Sequence, residues 1–157
     1  MPVYLSNRQK DLPINEIALK RRLGRLMREA GLAGAGLSVS LVDDEEMRTL
    51  NQRYRGRDRP TNVLSFPLEL SFPDEEPRPP GGAPRMLGDV VVSTETVLRQ
   101  AGEPGWAGFT VGGLLYFHLV HGLTHLLGYD HERGPAEAAR QEAETSRLWG
   151  LIRHSIN

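Results

Sequence analysis

Cysteine is absent from the 157-residue chain. Disulfides and thiolate metal sites are therefore both excluded, and a bound metal ion would have to use histidine, carboxylate or water as its ligands. The first ten residues also lack an apolar core of signal-peptide length. Because the absence of cysteine also fits a reducing compartment, we expect a cytoplasmic protein.

Charged residues are missing from one long stretch of the chain, residues 105–129. The stretch is long enough to cross a bilayer. It contains three histidines and several glycines, however, and histidine that faces lipid is costly. We therefore expect a helix buried at the centre of a soluble fold, and no membrane partner.

A large net charge is also lacking, since the formal net charge is −1. General attraction to nucleic acid is therefore weak. Residues 53–59 nevertheless hold four arginines against one aspartate. Such a local basic patch can bind phosphates, although arginines are mostly exposed and solvated, and composition alone favours a solvated basic turn. The candidates for phosphate or RNA contact are Arg53, Arg55, Arg57 and Arg59.

The order of the predicted elements indicates one α+β domain over residues 1–157. Strand-like patterns at residues 2–6, 37–41, 62–66 and 87–93 interleave with helix-like patterns, without a regular βαβ rhythm. We expect a small mixed sheet flanked by helices, with residues 106–127 as a long central helix. Residues 73–84 contain five prolines and a Gly-Gly pair, which predicts a mobile surface loop.

Four of the five histidines lie within fourteen residues at the end of this predicted helix. His121 and His125 are four residues apart, so on a helix both rings lie on one face, at bonding distance from a common ion. Gly128 permits a left-handed turn that ends the helix, and His131 follows three residues later. The spacing H-x-x-x-H-x-x-G-x-x-H is that of the metzincin zinc proteases. It predicts one metal ion per chain, with zinc the best match to three imidazole ligands.

The number of protein ligands indicates a catalytic site. Three ligands leave a fourth position for water, whereas a structural zinc site has four protein ligands. Asp130, His154 or His118 would close the site if one of them were a fourth ligand. We expect His118 and Asp130 to lie beside a ligand instead.

The residue after the first histidine disfavours a protease. In zinc proteases that residue is the glutamate that acts as general base, but here it is Gly122. Zinc lowers the pKa of its bound water to about 7 without help. Peptide hydrolysis nevertheless also needs proton delivery to the leaving amine.

Three blocks of the sequence resemble the YbeY family, which comprises bacterial metal-dependent proteins described as endoribonucleases or ribosomal RNA maturation factors. The blocks are NQRYRGRDRPTNVLSF at 51–66, LGDVVVS at 87–93 and HGLTHLLGYDH at 121–131. They occur in the family's order and extend over about half the chain. The third block is the most specific of the three.

The resemblance implies zinc ligands at His121, His125 and His131 and a functional arginine at Arg55. It also implies a small mixed sheet flanked by helices, with the metal-binding helix at its centre. The implied role is maturation of small-subunit ribosomal RNA and quality control of ribosomes. Asp89 lies in the second block, and we interpret it either as a structural carboxylate beside a ligand or as a turn aspartate.

Three kinds of function remain open at this point. In the first, the protein is a zinc-dependent endoribonuclease that cleaves single-stranded RNA, with Arg55 holding the phosphate. The 2′-hydroxyl of RNA is a built-in nucleophile, so a separate strong base matters less. In the second, the protein is a ribosome assembly factor whose metal is mainly structural, which the modest net charge and the lack of an aromatic stacking platform favour. RNA and the ribosome are the expected partners, and DNA is not. A small-molecule metallohydrolase is supported only by the metal site itself.

Overall fold

The structure, a computed structural model, describes residues 3–68 and 85–156. The proline-rich loop predicted at residues 73–84 lies outside these ranges. Within them the chain forms one small domain of four strands and five α-helices. None of the helices in the two described ranges is both long and apolar enough to span a membrane.

A mixed four-stranded sheet forms the framework of the domain. Its strands are β1 (Val3–Asn7), β2 (Ala35–Val42), β3 (Val63–Pro67) and β4 (Arg85–Ser93). Their spatial order is β1-β2-β4-β3, with β1, β2 and β4 parallel and β3 antiparallel to β4. The predicted α+β fold with a small mixed sheet is confirmed, and β3 forms one edge of that sheet.

Side-chain caps fix where most of the helices begin. A capping side chain that accepts a hydrogen bond from the backbone N–H three residues later satisfies an otherwise free donor. This bond opens four helices, with caps at Asn15, Asp43, Ser93 and Thr110. The helices are α1 (Glu16–Glu29), α2 (Asp44–Arg55), α3 (Thr94–Gln100) and α4 (Val111–Leu126), followed by α5 (Pro135–Ile152), which begins with proline.

Helix α4 is the predicted central helix, and it packs against β3, β4 and α5. Its leucines 114, 115, 119 and 123 are almost completely buried. The prediction that this helix begins at Trp106 is wrong. Gly108 has a positive φ of 92° and Thr110 caps a new helix, so Trp106 lies in a separate 3₁₀ turn, Pro104–Trp106.

Gly122 is the point where α4 lies against the sheet. A Cβ atom at this position would lie 2.5 Å from Val90 Cγ1 and 3.1 Å from both Val63 Cγ2 and Ser65 Oγ. The Ser65 hydroxyl donates to the carbonyl of Gly122 at 2.9 Å. Position 122 therefore has no room for a side chain. This explains physically why the glutamate of zinc proteases has no counterpart here.

Candidate metal centre

The end of α4 and the turn after it bring three histidines together. The ring centroids of His121 and His131 lie 6.1 Å apart, and those of His125 and His131 lie 6.3 Å apart. Gly128 adopts the positive φ, 100°, that lets the chain turn back. The backbone N–H of Tyr129 donates to Thr124 O at 3.2 Å and closes this turn. The left-handed turn at Gly128 that the H-x-x-x-H-x-x-G-x-x-H spacing predicts is therefore present.

Potential ligand atoms converge most tightly on a set that includes a carboxylate. One ring nitrogen each from His125 and His131 and one oxygen of Asp130 all lie within 4.8 Å of one another. His125 Nε2 lies 4.0 Å from Asp130 Oδ1. His121 stands beside this set through its ring contact with His131. Imidazole nitrogen and carboxylate oxygen are suitable donors for a borderline divalent ion, so the cluster could hold a metal.

The protonation states of His121 and Asp130 suit a cation. Burial, reinforced by the charges of His131 and His125, lowers the pKa of His121, so this imidazole is neutral at pH 7. The backbone N–H of Glu132 donates to Asp130 Oδ1 at 2.9 Å and lowers the pKa of that carboxyl, which is therefore charged. Metal ligands must be deprotonated before they bind.

Gln141 orients the ring of His131. Its Oε1 accepts from the His131 backbone N–H at 3.0 Å and lies 3.1 Å from His131 Nδ1. Because a backbone N–H only donates, the Gln141 atom must be the oxygen, and Nδ1 must then carry a proton. His131 Nε2 is left with a free lone pair that can bind a cation.

The support for His131 continues into the core. Gln141 is only 1% exposed, and its Nε2 donates to Thr124 Oγ1 at 3.2 Å. Thr124 Oγ1 in turn donates to the carbonyl of His121 at 2.6 Å. One chain of hydrogen bonds therefore connects α5 to two of the predicted ligands. Gln141 was not predicted as a site residue, because no motif in the sequence connects it to the histidines.

The other predicted neighbours of the ligands, His118 and Asp89, do not belong to the cluster. His118 Nε2 is 2.8 Å from Gln100 Oε1, which links it to α3, and burial with the charge of His121 lowers its pKa to about 4. Asp89 lies within β4, opposite Phe66, so it is not a turn residue. The proposed role of Asp89 beside a ligand gains no support from this position. His154 lines a separate cavity near Arg22. Among the candidates for a fourth ligand, Asp130 is the one placed within the cluster.

Arg55 shares a cavity with the histidines. This cavity, of about 600 Å³, is lined by His121, His125, Asp130 and His131 together with Tyr54, Arg55, Arg57, Glu132 and residues 61–66. We call it the phosphate cavity, because the sequence predicts phosphate contacts for its arginines. The basic turn that composition favours at residues 53–59 is wrong for Arg55, which is the last residue of α2. Gly56 ends that helix in the left-handed conformation, with φ 69°.

The four arginines of the basic segment separate in space. Arg55 and Arg57 line the phosphate cavity, and with Arg59 they also line an adjoining cavity of about 280 Å³. Arg53 is exposed on α2 and lines neither of these cavities. Of the predicted phosphate contacts, two arginines thus share a cavity with the histidines, Arg59 lines only the adjoining cavity, and Arg53 lines neither.

Glu132, a second residue that the sequence analysis missed, lies next to His131. Its carboxylate accepts a hydrogen bond from Arg55 Nη2, and both side chains line the phosphate cavity. The contact joins α2 to the turn that carries His131. It holds the Arg55 guanidinium at the same cavity as the histidines.

Comparison with known proteins identified relatives over almost the whole chain. A family model described as Endoribonuclease YbeY matches residues 4–150. A protein of Moorella thermoacetica named Endoribonuclease YbeY is 44% identical over 151 residues, which cover 91% of this chain and 94% of that protein. A protein of the same name from Halorhodospira halophila is 48% identical over 130 residues, covering 79% and 75% of the two chains. The solution structure of a Thermotoga maritima protein superimposes with a TM-score of 0.59 at 26% identity, covering 98% and 93%.

Proposed function

The chain belongs to the YbeY family of endoribonucleases, and from that premise we propose that it is a metal-dependent endoribonuclease that cleaves single-stranded RNA. The observation that carries this proposal is the phosphate cavity. The histidine cluster and two arginines line the same space, so a phosphodiester held by the arginines lies against the residues that could hold a metal.

In this proposal His121, His125 and His131 hold the ion, with Asp130 beside them. Three imidazole nitrogens fit zinc and leave a fourth position for water. A bound zinc ion supplies a water of lowered pKa or polarises a phosphate oxygen. Gln141 keeps the lone pair of His131 Nε2 available, because its own oxygen accepts a hydrogen bond from Nδ1–H.

Arg55 is the proposed phosphate-binding residue. A guanidinium presents a planar pair of donors that matches two phosphate oxygens and offsets the charge that develops on them. Glu132 holds Arg55 at the phosphate cavity when no substrate is bound. The pair lies at an exposed site, where ion pairs are weak, so an incoming phosphate can take the place of the carboxylate.

The absence of a glutamate at position 122 is compatible with RNA cleavage. The attacking 2′-hydroxyl belongs to the substrate, and the leaving group is an alkoxide rather than an amine. Peptide hydrolysis would instead need a base and an acid that the packing of Gly122 against β3 and β4 leaves no room for at this position.

The biological role that we propose is cytoplasmic: maturation of small-subunit ribosomal RNA and quality control of ribosomes, with RNA and the ribosome as partners. Family membership is the main support for this role. The concentration of positive charge at residues 53–59, in a chain with net charge −1, supports binding to RNA through one face. Long-range attraction by the whole molecule would be weak.

A cleavage assay under chelation tests the proposal against the assembly-factor alternative. Highly purified protein is incubated with a single-stranded RNA from the small ribosomal subunit, then with chelator, then with zinc restored. We expect cleavage to stop with chelator and to return with zinc. If cleavage persists in the chelator or never exceeds that of a preparation carrying His125→Ala, the activity belongs to a contaminant and the assembly-factor role is favoured.

A further inference from the structure

We propose that a second cavity at the histidine site holds a base of the RNA substrate, stacked against Trp106. This inference rests on the proposed RNA cleavage. The cavity has a volume of about 340 Å³, within the range of small-ligand sites. We call it the base cavity.

Aromatic side chains form one wall of the base cavity. Trp106 and Phe117 line it, with their ring centroids 6.2 Å apart. Trp106 also contacts the ring of His118 at 5.1 Å. These contacts hold a half-buried indole at the cavity wall. Aromatic side chains bind bases of any sequence, because every base has a π-face.

The base cavity adjoins the phosphate cavity. Both are lined by His121, His131, Asn62 and Val63. In a nucleotide only the sugar separates the base from its phosphates. A strand whose phosphate lies beside Arg55 and the histidines therefore has a base within reach of the second cavity.

Charge distinguishes which part of the nucleotide each cavity accepts. Arg55 and Arg57 line the phosphate cavity, whereas the acidic Glu142 lines the base cavity. His118, which also lines the base cavity, stays uncharged at neutral pH because burial lowers its pKa to about 4. The phosphate cavity is therefore the better site for a phosphate, and the base cavity can accommodate a neutral aromatic base.

Tryptophan fluorescence tests the inference directly, because the chain has two tryptophans and Trp149 does not line the base cavity. In Trp149→Phe protein the emission comes from Trp106. A short 2′-O-methyl oligoribonucleotide, which lacks the free 2′-hydroxyl, is compared with an otherwise identical oligomer without bases. We expect the base-containing oligomer to quench the fluorescence of Trp106 and the abasic oligomer to leave it unchanged. Fluorescence anisotropy of labelled oligomers should show that both bind.

Two substitutions at position 106 extend the test to affinity. Trp106→Ala should raise the Kd of the base-containing oligomer by about 5- to 150-fold, as expected for the loss of base stacking. It should leave the Kd of the abasic oligomer unchanged, and Trp106→Phe should retain most of the affinity. If Trp106→Ala does not fold, the quenching result and Trp106→Phe decide the question.

The outcomes separate this inference from the function on which it rests. Wild-type protein that binds neither oligomer would overturn the proposed function together with the base cavity. Wild-type protein that binds both oligomers equally, or a Trp106→Ala variant that weakens both in parallel, would overturn the base cavity alone.

Discussion

The ion pair between Arg55 and Glu132 shows how one residue can connect two parts of the site. Arg55 ends α2, whereas Glu132 belongs to the turn that carries His131. Both side chains line the phosphate cavity. Because the pair is solvent-exposed, it contributes about 0–1 kcal/mol to stability. Loss of the Arg55 side chain should therefore change substrate binding far more than the free energy of unfolding.

Arg55→Ala should keep the fold and the bound metal but lower the rate of RNA cleavage by about 10²–10³-fold, as for the loss of one donor to a developing charge. Arg55→Lys should recover little, because lysine lacks the two-pronged geometry. Cleavage rates of a single-stranded RNA at saturating concentration measure the effect.

The neighbouring arginines provide matched controls for Arg55. Arg57→Ala and Arg59→Ala should weaken RNA binding mildly and in a salt-dependent way. Arg53→Ala, which lies outside both cavities lined by arginine, should do less. If Arg55→Ala behaves like Arg53→Ala, then Arg55 is a solvated surface residue and its proposed role is wrong.

Gln141→Leu should weaken zinc binding by about 10- to 100-fold, the usual cost of losing a residue that orients a ligand. Leucine cannot accept a hydrogen bond from His131 Nδ1–H, so the ring loses its fixed orientation. Competition with a chromophoric chelator measures the affinity. Gln141→Glu keeps an acceptor oxygen and should keep most of the affinity.

His118→Ala is the control for this prediction. His118 is also buried on α4, but its ring nitrogen interacts with Gln100 instead of a predicted ligand. We expect the variant to bind zinc with at most slightly reduced affinity. Equal losses of zinc affinity in the His118 and Gln141 variants would contradict this prediction. They would mean that the affinity falls because the core loosens, and not because His131 loses its orientation.

Site residues whose positions depend on spacing along a helix were predictable from the sequence. Site residues whose roles depend on long-range contacts were not. The positions of His121, His125 and Gly128 follow from helical periodicity and from the conformational freedom of glycine, so the approach of the rings was predictable. Gln141 and Glu132 have no signature in the sequence. Their roles arise only when α5 and α2 pack beside the turn at His131.

The packing of α4 on the sheet depends on Gly122. Gly122→Ala should destabilise the protein by about 1–3 kcal/mol, since the added methyl group would overlap Val90. In an unobstructed helix the same change would stabilise by up to about 1 kcal/mol. Gly112→Ala, in α4 with no atom within 4 Å of the added Cβ, should be neutral or slightly stabilising. Urea denaturation of both variants checks this, and equal effects would contradict the close approach.

The start of a helix was predictable where a capping residue stands just before a run of helical hydrophobic periodicity. Asn15 and Ser93 follow this rule, and both accept the backbone hydrogen bond. The start of α4 was misplaced because the uncharged run from 105 continues past the true boundary. Gly108 and Thr110 carried the signal that was overlooked. The position of this boundary matters, because the separate 3₁₀ turn places Trp106 edge-on against His118, at the base cavity.

For the whole molecule, the fold brings distant segments of modest charge and few aromatic residues to one site. The segments are the end of α2 with the loop after it, the edge strand β3, the 3₁₀ turn at Trp106, α4 and α5. Asn62, just before β3, lines the phosphate cavity, the base cavity and the adjoining arginine-lined cavity. The sequence predicted the sheet and the histidine turn, but the adjacent cavities arise only from the packing of these elements.

The central claim is that one metal ion, held by the histidines, is needed for RNA cleavage. Elemental analysis and a cleavage assay on the same preparations of wild type and His125→Ala test it most directly. We predict one zinc per chain and chelator-sensitive cleavage in the wild type. The variant should retain neither metal nor cleavage and should melt at a lower temperature, because bound metal contributes to folding stability. Wild-type protein without a stoichiometric metal, or a His125→Ala variant that still cleaves RNA, would contradict the claim.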